Sequence, residues 1–236
     1  VGPLQALATA SKRFASRGTA LYETIVASVD GGPITSSCGL PIVTVPLSAL
    51  DGTPIDTLIA AGGSKDDEFH APPALVAWIG QRATDVRRLC SVCTGAFLLA
   101  AAGTLEGRRV ATHWDWVARL KRRHPGVEVD ADRIYVHDGK IWTSAGVSAG
   151  IDLTLALIED DYGHRVAIET ARHLVMFIKR SGGQSQFSVP LAAQSSTDGT
   201  FAGLHAWIAE RLDQDLGVER LAAEAGMAPR TFARAY

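Results

Sequence analysis

Cys93 lies in the stretch RRLCSVCTGAFLLAAAG, Arg87 to Gly103, where a short apolar run leads into Cys-Thr-Gly and then a block of Ala and Leu. That order spells a strand, a sharp turn and a helix, with the thiol on the turn. A nucleophile so placed is held up at the carboxyl edge of a sheet. The free N–H groups and positive end of the helix behind it favour a thiolate or a neighbouring oxyanion. Two more stretches should end at the same edge. The run AAGG, Ala60 to Gly63, followed by Ser64, carries glycine N–H groups able to act as a second oxyanion donor. Thr112 and His113 close another strand, which brings an imidazole towards the thiol, with Trp114 beside it. The expected pocket is therefore lined by Gly63, Ser64, Cys93, Thr94, His113 and Trp114.

Other uses of these residues are open. A Cys among apolar neighbours is also what core packing looks like. Cys90 and Cys93 form a Cys-x-x-Cys pair, but Cys90 lies back in the strand instead of at a helix start, unlike a thioredoxin-type site. A zinc site would need a second Cys or His pair at ligand spacing, and the chain supplies none. No metal and no cofactor is expected.

The elements that position these residues follow from pattern. The chain has 236 residues, 47% hydrophobic and 20% charged, with a formal net charge of −2. This is room for one large domain and a small module, without an overall basic surface. Three Cys make no disulfide framework in a chain this long, which points to a reducing, cytoplasmic setting. No apolar run is long enough to span a membrane. Strand patterns at LYETIVASVDGG, SSCGLPIVTVPL, IDTLIAAGG, the run before Cys93 and GRRVATHW alternate with helical patterns at PPALVAWIGQRA and DWVARLKRRHP. A hairpin is expected at Asp138-Gly139, then two more helices. Strands alternating with helices predict an α/β fold: a doubly wound, mostly parallel sheet covered on both faces. After Arg180 the composition shifts to Gly, Ser, Gln and Pro without periodicity, so residues 181–200 are read as a linker between a domain over 1–180 and a helical segment over 201–236.

That segment has its own signature. A short helix, VERLAAEAG, ends at Gly226, and APRTFARAY begins another with Pro229 in its first turn. Helix, Gly-containing turn and second helix form a helix-turn-helix, whose second helix enters a major groove. Arg230 and Arg234 fall on one face of it, with Pro229 and Thr231 setting its entry. After residue 200 there are four Arg (211, 220, 230, 234) against five acids (210, 213, 215, 219, 224), which is weak support for phosphate binding. A helical hairpin that merely caps the domain is the alternative.

The run SVCTGAFLLAAAGTLEGRRVATHW, followed by IYVHDGKIWTSAGVSAGIDLTLALIE, resembles the ThiJ/PfpI superfamily. Its wording is similar to the amidase-like domain of GlxA-type AraC-family regulators, over roughly residues 1 to 180. The resemblance implies a flavodoxin-like, class I glutamine amidotransferase-like fold. It also implies Cys93 at the elbow, backbone donors from Thr94 and Gly63, and His113 as the nearby histidine. Two departures from hydrolytic members stand out. Thr94 occupies the place where peptidase-type members carry His, and the carboxylate expected about three residues before Gly2-Pro3 falls before Val1. Isonitrile hydratases share the Cys-Thr-Gly wording. LAAEAGMAPRTFARAY resembles the first helix-turn-helix of AraC-type DNA-binding domains; the second is expected after Tyr236, and the chain is expected to be a piece of a longer protein. The resemblance implies a homodimeric transcription regulator that senses a small metabolite, such as an amino-acid or quaternary-amine compound, and binds operator DNA. The alternative is a Cys93-dependent hydrolase or isonitrile hydratase-like enzyme, whereas in the regulator the amidase-like domain is non-catalytic.

Overall fold

The computed structural model describes residues 1–15, 20–63, 69–176, 183–184 and 201–236. The chain divides into two compact units, Val1–Gln184 and Ser185–Tyr236. In the first, the central sheet runs in the order β4 (Thr57–Ala60), β5 (Arg88–Val92), β9 (Ile141–Ser144), β8 (Tyr135–Asp138). β4, β5 and β9 are parallel, whereas β8 runs antiparallel to β9. Adjacent residues of a strand point to opposite faces, and β5 has a helical layer for each. Leu89 packs with Ile79 of α2 (Pro73–Arg82), Phe97 and Leu99 of α3 (Gly95–Ala101) and Leu120 of α4 (Val117–Arg123). Cys90 packs on the other face with Trp142, Leu153 and Leu157, the last two from α5 (Val147–Tyr162). Outside α5 lie α1 (Gly2–Phe14) and α6 (His164–His173), where Ala6 and Ala10, one turn apart and fully buried, pack with Leu155, Ile158 and Ala167.

Helices on both faces of a sheet with a parallel centre is the flavodoxin-like arrangement expected. The strand content is mixed where a mostly parallel sheet was expected. β2 (Asp30–Thr35) and β3 (Pro41–Pro46) form an antiparallel hairpin, β1 (Ala27–Ser28) adds parallel to β3, and β6 (Arg109–Val110) pairs with β7 (Glu128–Val129) in a separate two-stranded sheet. The reason is connection length. A two-residue turn at Gly139, φ +62°, can join β8 and β9 only antiparallel, as does the five-residue link between β2 and β3. Of the long strand expected at LYETIVASVDGG, Ala27–Ser28 form β1, and Asp30–Gly32 open β2 where a Gly turn was expected. Side chains hold the first half of that stretch: the Tyr22 N–H donates to Ser11 Oγ (3.0 Å) and its hydroxyl to Asp161 (2.9 Å).

In the second unit, α7 (Ala202–Ala209), α8 (Val218–Glu224) and α9 (Pro229–Ala235) enclose a small core of Leu204, Ala222 and Phe232. Gly226 takes the left-handed conformation, φ +66°, at the turn between α8 and α9. Trp207 lies under two guanidinium groups, Arg211 at 4.8 Å and Arg220 at 5.3 Å.

At the N-terminal edge of the central sheet, Arg88 is almost wholly buried and ion-paired with Asp161, and also with Asp160 at 3.2 Å. Arg87 reaches Asp56 and Asp161, each at 2.7 Å. Burial, followed by the Asp161 charge, pushes the Tyr22 hydroxyl above its usual range, so it remains the donor to that carboxylate. This network fastens β5 to α5 at the end opposite Cys93. Arg88→Met should cost about 2–3 kcal/mol, below the usual loss for a buried pair because Arg87 and Tyr22 stay on Asp161. A lower urea midpoint at unchanged slope is the expected reading, and an unchanged midpoint would mean the network contributes nothing.

Candidate functional site

The strand-turn-helix expected at Cys93 is built from β5 and α3, with Cys93 between them at φ +57°. That conformation is strained for a residue with a side chain and persists only where neighbours over-determine it. Here the Cys93 N–H is shared between the carbonyls of Ser144 (3.0 Å) and Ala145 (2.9 Å) at the end of β9. The Cys93 carbonyl accepts from the Thr112 hydroxyl at 2.8 Å. Gly95 completes the turn, because a Cβ there would stand 2.1 Å from the Ala60 carbonyl oxygen. The close approach of α3 to the end of β4 requires glycine.

Thr94 is buried, and its hydroxyl accepts the Gly63 N–H at 3.0 Å. The Gly63 donor expected to face an oxyanion is thus engaged by the neighbouring side chain. Burial pushes the half-buried Cys93 thiol up, opposed in part by hydrogen bonds from the Thr94 backbone and hydroxyl. Cys90, fully enclosed in β5, is pushed up to about 12 by burial. A thiol that stays protonated at neutral pH is a poor nucleophile without a base.

His113 follows β6. Its Nδ1 accepts the Asp115 N–H at 3.3 Å, which leaves the proton of the neutral ring on Nε2. The ring lies against Gly146, at the start of α5, where a Cβ would come within 2.9 Å of Cδ2. No hydrogen bond joins His113 to Cys93 among the described residues. Trp114, 57% exposed, is tilted against the His113 ring at 5.4 Å. The structure therefore gathers Gly63, Cys93 and Thr94 tightly, with Thr112 linking the His113 segment to the elbow. Ser64 lies outside the described residues. In the second unit, Pro229, Arg230, Thr231 and Arg234 are all exposed on α9, while Phe232 faces the core.

The chain is similar to known proteins. The description of the DJ-1/PfpI family matches residues 2–160. The chain belongs to the DJ-1/PfpI family. Within and around that family it is 27% identical over 221 residues to the HTH-type transcriptional regulator GbdR of Pseudomonas aeruginosa, covering 93% of this chain and 59% of the relative. It is 33% identical over 141 residues to the isonitrile hydratase of Pseudomonas putida, covering 59% of this chain and 58% of the relative. A crystal structure of an AraC family transcriptional regulator from Pseudomonas putida superimposes with a TM-score of 0.63 at 23% identity, covering 73% of this chain and 90% of that one. This last likeness is one of fold. The chain spans just under three-fifths of the length of both curated relatives.

Two supports of the DJ-1/PfpI elbow escaped sequence reasoning. Thr112 was legible only as the end of a strand, yet its hydroxyl holds the Cys93 carbonyl. The carbonyls of Ser144 and Ala145, which hold the Cys93 N–H, have no side-chain signal at all.

Thiol chemistry separates the three cysteines. Cys38 is exposed and its thiol lowered, first by the Ser36 hydroxyl at 3.2 Å. With iodoacetamide at pH 7.5, Cys38 should be modified first and Cys93 several-fold more slowly. Cys90 should be modified only on unfolding. Because burial raises the Cys93 thiol, its rate should keep climbing as pH rises past the ordinary thiol range. Mass mapping that found Cys93 faster than Cys38 at pH 7.5 would reveal an activated thiol.

Proposed function

We propose that this chain is the sensing part, and the first DNA-reading part, of a transcription regulator. In this reading the DJ-1/PfpI unit binds a small polar metabolite through Gly63, Ser64, Cys93, Thr94, His113 and Trp114. The chain after Gln184 leads on to a helix-turn-helix made of α8 and α9. The observation that carries the reading is α9 itself: Arg230 and Arg234 are exposed one turn apart, and neither is ion-paired among the described residues. Arg211 and Arg220, by contrast, are engaged within their unit by Trp207, Glu210 and Gln214. The GbdR match runs through nearly the whole chain, which also supports a two-part regulator. Two-fold DNA readers pair two half-sites with two copies, so the regulator acts as a homodimer on operator DNA. A cytoplasmic setting follows from that role, and no described helix is long and apolar enough to cross a membrane.

The isonitrile hydratase match favours a second reading, in which Cys93 attacks a substrate. The raised thiol, the lack of a bond to His113 and the engagement of the Gly63 N–H all weigh against it. Cys93-dependent turnover of an isonitrile or amide by the purified chain would reverse that judgement.

Base contacts and phosphate contacts differ in what they do to specificity. Arg230, nearer the N-terminus of α9, is assigned to base edges and Arg234 to phosphate. In the full-length regulator, Arg230→Ala should lower discrimination between operator and random DNA by about 1–3 kcal/mol. Arg234→Ala should weaken both alike and reduce the salt slope by about 1. Titrations at several salt concentrations that returned unchanged operator affinity for both variants would leave α9 as a capping helix.

A further inference from the structure

Gln184 stands in the stretch whose composition marks a connection, yet it is 8% exposed and belongs to the first compact unit. Its carboxamide is fully used. The Oε1 accepts the Trp114 N–H at 2.9 Å. The Nε2 faces three carbonyl oxygens: Thr112 at 3.0 Å, Arg133 at 3.0 Å and Ala131 at 3.3 Å. Its own N–H donates to Asp132 O at 2.5 Å. Only a carboxamide of this length meets the demand. A carboxylate would set negative oxygen against three carbonyls, and an ammonium could not accept from Trp114.

The placement of these bonds is what matters. Gln184 binds the backbone on both sides of His113, at Thr112 and at Trp114. Thr112 in turn holds the Cys93 carbonyl through its hydroxyl. A continuous path of hydrogen bonds therefore runs from the Cys93 elbow, through Thr112, to the last residue of the first unit. Any movement of the His113 segment must stretch two of the Gln184 bonds, and loss of the Gln184 bonds must loosen the segment. Such coupling works equally in both directions.

We propose that Gln184 is a positioning residue and a latch: its carboxamide fastens the outgoing chain to the His113 segment, so that occupation of the Cys93 site and the hold on the chain leading to residues 185–236 control one another. The regulatory half of this rests on the regulator reading above; the latch itself does not.

The test uses the 236-residue chain carrying Cys38→Ser, so that Cys93 is the reactive thiol. The readouts are hydrogen exchange at the Trp114 amide and the iodoacetamide rate at Cys93, with melting followed by circular dichroism. Gln184→Ala and the shorter Gln184→Asn should each speed Trp114 exchange by about tenfold, as loss of a protecting hydrogen bond does. Both should raise the Cys93 rate several-fold. Unchanged Trp114 exchange in both variants overturns the latch. Faster exchange with an unchanged Cys93 rate overturns the coupling. Should both variants unfold, the parent chain still decides, because a Trp114 amide that exchanges as fast as an unstructured one has no Gln184 partner. Failure of the full-length protein to bind any DNA would sink the regulator reading alone and leave these exchange results standing.

Discussion

Cys93 sits in a backbone conformation that costs a residue with a side chain on the order of 1–3 kcal/mol. The surrounding structure is arranged to hold it there. Its N–H is anchored on the end of β9, its carbonyl on Thr112, and the helix that follows can approach only because Gly95 leaves room for the Ala60 carbonyl. The parallel order of β4, β5 and β9 brings the β9 anchor and the Ala60 carbonyl to one sheet edge, and the segment after β6 brings Thr112 to the same elbow. At the opposite edge, Arg88 and its carboxylates fasten β5 to α5, so the strand carrying the elbow is tied at both ends.

This geometry serves binding at least as well as catalysis. An elbow raises a side chain into a pocket and aims helix N–H groups at it, which suits a polar ligand as much as a transition state. What distinguishes the two is activation. Burial pushes the Cys93 thiol up, and His113, whose Nδ1 accepts from Asp115, makes no hydrogen bond to that thiol among the described residues. The DJ-1/PfpI scaffold is thus present with its elbow formed, and no hydrogen bond joins Cys93 to a histidine among the described residues.

The second unit is small, and its three helices depend on few buried residues. Phe201 and Tyr236 pack on Phe232, and Trp207 lies beneath Arg211 and Arg220. These contacts consume two of its four arginines. The two with no such contact among the described residues lie exposed on α9, so a segment with more acids than bases still offers a local cationic face.

Much of this was legible in the amino-acid sequence, because it depends on local pattern. The apolar run before Cys93, the Ala and Leu block after it, the Asp138-Gly139 hairpin and the Gly226 turn each specify their element through neighbours a few residues away. The presence of Cys93 on a turn and of Arg230 and Arg234 on one helical face follow from the same local rules. Tertiary structure alone decided what reaches across the fold. It cut the strand at LYETIVASVDGG short, since Tyr22 is held by Ser11 and Asp161. It turned the Gly63 N–H towards Thr94, attached Thr112 to the Cys93 carbonyl and buried Gln184 within a stretch of linker composition. Each of these is a hydrogen bond between residues 11 to 139 positions apart, and such a bond is set by where strands and helices meet in space rather than by the residues on either side of it.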